Sequence, residues 1–269
     1  MDPVKRPAPV IALTTDFGLV DPYAGILKGV LLGLCPEARV VDLTHGVPPQ
    51  DVLAGCLALE AARPYFPPGT IHLCVVDPGV GTGRPAVAVR TRRDVFVGPD
   101  NGLFSFLRGD EILEVRSLES AAVRLQPVSR TFHGRDVFAP AAAHLGRGLP
   151  WADLGPSRPL LGPSLLPEAE VWAQRIRGVI LGFDRFGNAV TSIRAERVPW
   201  TPRRVLVGGA VVPYASTYGD VPPDAPLCLA ASSGRIEVGV RNGSARRRLG
   251  LARGTPIVLE APEGEPGGP

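Results

Sequence analysis

Residues 10–43, VIALTTDFGLVDPYAGILKGVLLGLCPEARVVDL, hold two apolar runs on either side of a helical pattern. Val10–Leu13 is short and ends at Thr14, Thr15 and Asp16, as a buried strand does. The spacing across Tyr23–Leu34 predicts a helix with Ile26, Val30 and Leu34 on one face, and Val40–Leu43 reads as a second strand. Further on, Val52–Ala62 predicts a second helix closed by Pro64, and Ile71–Val76 a third strand stopped by Pro78 and Gly79. Strand, helix, strand, helix, strand is the order of an α/β domain with a mostly parallel central sheet. Strands at Ala86–Arg90 and Val95–Val97, a short helix after Asn101 and a buried, Ala-rich helix at Phe138–Leu145 complete the expected N-terminal domain, residues 1–157.

The pattern then changes. A Pro-, Gly-, Ser- and Leu-rich stretch without periodicity predicts a linker over 158–170. Beyond it lie only short apolar runs, at Val179–Phe183, Val190–Ile193, Arg204–Val207, Ala210–Val212, Leu227–Ala230, Ile236–Val240 and Pro256–Leu259. Gly, Asn or Pro separates nearly all of them, which predicts a small all-β barrel or sandwich over 171–260. Residues 261–269, rich in Pro and Gly, read as a disordered tail.

Composition narrows the classes. Of 269 residues, 45% are apolar and 20% charged, which fits a globular chain and neither a collagen-like nor a disordered one. A net charge of +3 is too small to argue for a nucleic-acid partner. No apolar stretch approaches the roughly 20 residues of a membrane span, and only the short run Val10–Leu13 follows Lys5 and Arg6, so no secretory signal is read. The cysteines Cys35, Cys56, Cys74 and Cys228 lack CxxC spacing and read as buried thiols of a reducing compartment. A soluble cytoplasmic protein is expected.

Candidate chemistry sits at the strand ends. Asp16, closing the first strand, is placed either to grip a ribose diol or metal ion or to cap the following turn. Asp77 opens Asp-Pro-Gly-Val-Gly-Thr-Gly-Arg (77–84); no helix follows those glycines, so a dinucleotide fingerprint is not read. The loop reads either as one that lets backbone approach a ligand while Asp77 and Arg84 project into one cleft, or as a simple flexible turn with a surface ion pair. His133 lies in Thr-Phe-His-Gly-Arg-Asp at a loop-to-helix junction, open to a structural or a catalytic role. Gly-Pro-Asp-Asn-Gly (98–102) is a turn signal, with Asp100 or Asn101 as the expected helix cap. Asp184, Phe186, Gly187 and Asn188 form a hairpin tip, and Ser232-Ser233-Gly234 and Arg241-Asn242-Gly243 are turns.

Taken in order, Thr14-Thr15-Asp16-Phe17-Gly18, Lys28-Gly29, Val76–Gly81 with Arg84, Gly98–Gly102, Phe132–Asp136, Asp184 with Phe186-Gly187-Asn188, Ser232 and Arg241-Asn242-Gly243 resemble the S-adenosyl-L-methionine (SAM) hydroxide adenosyltransferases, relatives of the SAM-dependent fluorinating and chlorinating enzymes. The resemblance covers nearly the whole chain. It implies an α/β domain followed by a β domain, and a homotrimer binding SAM between neighbouring subunits, with no cofactor and no metal. It further implies that Asp77, Arg84 and His133 are catalytic, that Asp16 holds the ribose hydroxyls and Asn188 the adenine, that Asp184 and Ser232 hold the methionine end, and that Glu237 lies near the ligand. Two departures stand out: Thr191-Ser192 where the family usually has Thr-Asn, and Ser232-Ser233-Gly234 where it usually has Ser-Phe-Gly.

The implied reaction is cleavage of SAM by water to adenosine and L-methionine. A sulfonium leaves as a neutral thioether and needs no general acid, so the requirement is a competent water. Asp77 and His133 would orient that water and take its proton, with Arg84 fixing Asp77 through a bidentate pair. A carboxylate beside the nucleophile repels a halide by about 4 kcal/mol at 4 Å and an effective dielectric of 20, which favours water. The same residues leave two other readings: a metal-dependent phosphohydrolase with Asp16, Asp77, Asp100 and His133 as ligands, and a non-catalytic SAM or adenosine sensor.

Overall fold

In the computed structural model, which describes residues 7–262, strand β1 (Val10–Thr15) pairs in parallel with both β2 (Arg39–Thr44) and β3 (Ile71–Val75). β3 pairs in parallel with β5 (Val95–Pro99), and β4 (Ala86–Thr91) runs antiparallel between β5 and β6 (Ile112–Ser117). The order is β2-β1-β3-β5-β4-β6, with the parallel strands together and the reversal at one end. Helices α1 (Tyr23–Leu34) and α3 (Ala139–Gly146) pack over the face bearing Ile11, Leu13, Leu73 and Val97. On the opposite face Ala12, Thr14, His72, Cys74 and Phe96 are also fully buried. A sheet covered on both sides explains why its strands read as continuous apolar runs.

Several local readings need correction. The deeply buried stripe of α1 is Ala24, Leu27 and Leu31, one position away from the expected face; Val30 and Leu34 are only partly buried. Helix α2 (Val52–Ala62) starts with Asp51 accepting the Ala54 N–H at 3.0 Å. Strand β6 was not legible because Glu114 and Arg116 interrupt its apolar pattern; it is an edge strand, and Glu114 is 2.5 Å from Arg90 on β4. No helix follows Asn101. Two tight turns stand there, closed by Ser105 N–H to Gly102 O and Leu107 N–H to Phe104 O, both 3.0 Å. Asp100 caps nothing, since its carboxylate accepts the Leu161 and Gly162 amides at 2.9 and 2.7 Å. Asn101 accepts the Leu103 N–H at 3.3 Å and donates from Nδ2 to Val76 O at 2.9 Å, holding the end of β3.

The chain divides into two compact units, Met1–Leu165 and Leu166–Pro269. The second is built on antiparallel strands: β7 (Glu170–Trp172), β8 (Arg175–Phe183), β9 (Ala189–Arg194), β10 (Arg204–Val207), β11 (Ala210–Val212), β12 (Pro226–Ala230), β13 (Arg235–Val240) and β14 (Pro256–Glu260). Their order is β11-β10-β14-β8-β9-β13-β12, with β7 beside β8. Just past β11, the Pro213 carbonyl accepts Cys228 N–H and the Cys228 carbonyl accepts Ala215 N–H, each at 2.8 Å, so the sheet edges meet in a nearly closed barrel. Its interior holds Ile176, Ile193, Val205, Val238 and Ile257. A one-turn helix, α4 (Ala245–Arg248), was not expected. The expected disordered tail falls, for 263–269, outside the described residues. All four cysteines are buried, and none is in a disulfide. Among the described residues no helix is long and apolar enough to cross a membrane.

Candidate active site

Asp16 and Asp77 follow the carboxyl ends of adjacent parallel strands, β1 and β3, where Thr15 is in register with Val75. Ligands of parallel α/β sheets bind at such ends. After Asp77 the chain turns twice, with Val80 N–H on Asp77 O at 3.2 Å and Thr82 N–H on Gly79 O at 3.1 Å, and returns at Arg84. Gly81 makes the turn possible: its φ is +77°, and a Cβ there would lie 2.5 Å from the Arg130 carbonyl oxygen. The Asp77 loop is thereby pressed against the segment leading to His133.

His133 stands at the mouth of a π-helical turn, Gly134–Phe138, that runs directly into α3. Buried Asp136 anchors this junction, accepting the Ser129 N–H at 2.8 Å and pairing with Arg135 at 2.7 Å. Burial disfavours its charge, but Arg135 and the Ser129 amide outweigh that and hold its pKa below the ordinary carboxylate value. Asp77 and Arg84 share one loop in the sequence, and the fold brings the distant His133 to them.

Arg84 Nε donates to Asp77 Oδ1 at 2.8 Å, its Nη2 donates to Asp77 Oδ2, and the same Nη2 lies 3.0 Å from His133 Nδ1. The Arg84 and Asp77 side chains are only 9% and 5% exposed, so the pair is largely withdrawn from water. The Arg84 guanidinium rests 5.0 Å above the Phe138 ring. Burial and then the Arg84 charge depress the His133 pKa below 6.5, with Asp77 opposing more weakly. Because Arg84 has only hydrogens to offer, His133 Nδ1 is the acceptor, and the neutral ring carries its hydrogen on Nε2.

Asp16 is half-buried and its Oδ2 accepts the Gln50 N–H at 2.8 Å. Phe17, Tyr23 and Phe132 form an aromatic cluster beside it, with centroids 5.4 to 6.0 Å apart. The four ligands of the phosphohydrolase reading do not converge, since Asp100 holds backbone amides of 161–162. Among the described residues no three His, Cys, Asp or Glu side chains are grouped to hold a metal ion.

A second set lies in the β unit. Asp184, Asn188, Ser232 and Glu237 all line one open cavity of about 920 Å³, with Tyr218 and Arg241. Asp184 also organises its own turn, accepting the Phe186 and Asn188 amides at 2.9 and 2.8 Å and Asn188 Nδ2 at 2.9 Å. Tyr218, which sequence reading did not single out, donates its hydroxyl to Glu237 Oε1 at 2.5 Å. Burial raises the Glu237 pKa and Asp184 adds to that, against the lowering effect of the Tyr218 bond. Burial, then the bond to Glu237, keeps the Tyr218 phenol protonated well beyond its usual range. Only the capping box that Thr217 and Asp220 form around Tyr218 offered a sequence signal for it. Both departures from the family pattern avoid the cavity lining. Ser192 Oγ accepts the Val179 N–H at 3.1 Å, and Ser233 Oγ is buried.

Comparison with known proteins agrees with this division. Residues 11–155 match the SAM hydroxide adenosyltransferase N-terminal domain and residues 178–258 its C-terminal domain. A (R)-S-adenosyl-L-methionine hydrolase of Thermus thermophilus is 47% identical over 91% of this chain and 97% of its own. A fluorinase of Nocardia brasiliensis is 27% identical over 91% of this chain and 90% of its own. The crystal structure of an uncharacterized conserved protein from Thermotoga maritima superposes with a TM-score of 0.84 at 34% identity, covering 93% of this chain and 99% of that one.

Proposed function

The chain belongs to the SAM hydroxide adenosyltransferase family, and from that premise we propose that it hydrolyses SAM to adenosine and L-methionine. Water attacks the 5′ carbon in line with the departing sulfur. The C–O bond forms as the C–S bond breaks, the bonding pair goes to sulfur, and methionine leaves as a neutral thioether. The water must lose one proton.

The Asp77–Arg84–His133 cluster carries this reading. A carboxylate has about four acceptor positions, and Arg84 occupies two on Asp77. Asp77 is therefore the acceptor left for the water proton, while His133, with its hydrogen on Nε2, orients the water oxygen. Proton acceptance of this kind is typically worth 10²–10⁴-fold, and holding water and carbon in line supplies much of the remainder. The Asp77 carboxylate also repels halide, which separates this chemistry from that named for the fluorinase relative.

Asp16 takes the ribose hydroxyls, Asn188 the adenine, and Asp184 and Ser232 the methionine end, with Glu237 beside the ligand. The two groups of residues are completed between neighbouring subunits of a homotrimer. SAM is the substrate, no cofactor or metal takes part, and the enzyme works in the cytoplasm. Incubating chelator-treated protein with SAM in ¹⁸O-water tests the reaction. Adenosine carrying one ¹⁸O at its 5′ oxygen, with unlabelled methionine, is the expected product. Intact SAM after long incubation, with tight binding, would make the protein a sensor instead.

A further inference from the structure

Beneath Asp16 lies a chain of hydrogen bonds outside the catalytic cluster, buried at Thr15 and His45 and open to solvent at Asp42 and Lys28. Thr15 Oγ1 is 2.8 Å from His45 Nδ1, His45 Nε2 is 3.1 Å from Asp42 Oδ1, and Asp42 Oδ2 is 2.6 Å from Lys28 Nζ. Thr15 Oγ1 also accepts the Phe17 N–H at 3.3 Å. The directions are mutually consistent. Phe17 donates to Thr15, whose hydroxyl donates to His45 Nδ1, while His45 Nε2–H and Lys28 both donate to the Asp42 carboxylate.

Hydroxyl, imidazole and carboxylate in this order resemble a nucleophilic triad, but Thr15 is 0% exposed and His45 5% exposed, so no substrate reaches the hydroxyl. The chain instead ties two loops together. The His45 carbonyl accepts the Gly18 N–H at 2.8 Å, Thr15 O accepts the Val47 N–H at 3.4 Å, and Asp16 Oδ2 accepts the Gln50 N–H at 2.8 Å. Residues 15–18 and 45–50 are thus joined on both sides of Asp16, with the His45 ring as the buried link.

We infer that His45, held between Thr15 and Asp42, is a positioning residue that fixes Asp16 for the substrate ribose. This rests on the ribose role proposed for Asp16. A carboxylate binds a diol well only if its oxygens are held at the right place and angle. One Asp16 oxygen is already committed to Gln50, so displacement of either loop moves the acceptor the diol requires.

The test compares binding of adenosine and 2′,3′-dideoxyadenosine, together with kcat and KM for SAM, in Thr15→Val, Thr15→Ser, His45→Phe and Asp16→Ala proteins. Thr15→Val keeps shape and removes only the hydroxyl, which guards against failure of His45→Phe to fold. Thr15→Val and His45→Phe are expected to lose about tenfold of the preference for adenosine and to raise KM more than they lower kcat, while Thr15→Ser keeps both. Thr15→Val should add nothing once Asp16 is Ala. If Asp16→Ala keeps the preference, the ribose assignment fails and the positioning role with it. If Asp16→Ala loses the preference and Thr15→Val retains it with KM unchanged, the positioning role alone is overturned.

Discussion

Arg84 Nη2 lies 3.0 Å from His133 Nδ1 while the same guanidinium grips Asp77, so one cation fixes the orientation of both groups proposed to face the nucleophile. Lysine cannot reproduce this, because an ammonium is a point donor without the planar fork. Arg84→Lys is expected to lower kcat about 100-fold, in the range of lost acid–base function. Asp77→Asn, which removes the proton acceptor, should cost as much or more. Steady-state turnover with SAM checks both, and full activity in either variant would remove the cluster from the mechanism.

An acid limb of activity is expected from His133. Burial and Arg84 hold its pKa below 6.5, so the ring is neutral at pH 7 and Nδ1 accepts from Arg84. Protonation at lower pH puts a hydrogen on Nδ1 and sets two donors against each other. We expect kcat/KM to be flat near neutrality and to fall at a midpoint below pH 6.5. An NMR titration of the His133 ring should give the same midpoint, moving upward in Arg84→Met as one source of depression is removed. A midpoint that stays put in that variant would contradict the coupling.

In the β unit, Tyr218 and Glu237 are expected to govern binding rather than chemistry. Tyr218→Phe frees Glu237 from its 2.5 Å partner in a cavity where Asp184 already disfavours its charge. Hydrogen bonds to charged groups are worth about 1.5–3 kcal/mol. KM for SAM should therefore rise about tenfold or more, with kcat nearly constant. A fall in kcat at unchanged KM would place the pair with the chemistry.

What sequence made legible depended on whether the relevant contact was local. Helices α1 and α2 were read with their true limits because apolar spacing and their terminators lie within a few residues. The buried face of α1 was misplaced because the choice among adjacent apolar positions was made by α3, more than a hundred residues away. Asp77 and Arg84 share a loop and were paired correctly, whereas the Arg84–His133 bond joins residues 49 apart in sequence. Tyr218 meets Glu237 only across the cavity, so beyond the Thr217–Asp220 capping box no nearby residue announced it.

His72 makes stability depend on acidity independently of catalysis. It is fully buried, stacked 5.0 Å from Phe96 and edge-on to Phe66 at 5.3 Å, and among the described residues both ring nitrogens lack hydrogen-bond partners. Burial, then the charges of Arg63 and Arg93, lower its pKa from 6.5 to about 4. The unfolded chain therefore takes up this proton first: the stabilisation is fully present above about pH 6.5 and is lost as pH falls to about 4. That difference corresponds to about 3 kcal/mol. His72→Phe preserves a stacked aromatic ring and removes both the titration and the unpartnered nitrogens. The variant is expected to match or exceed the parent at pH 7.5 and to lose distinctly less stability on moving to pH 4.5, as read from urea midpoints. Equal losses in the two proteins would mean that acid sensitivity arises elsewhere.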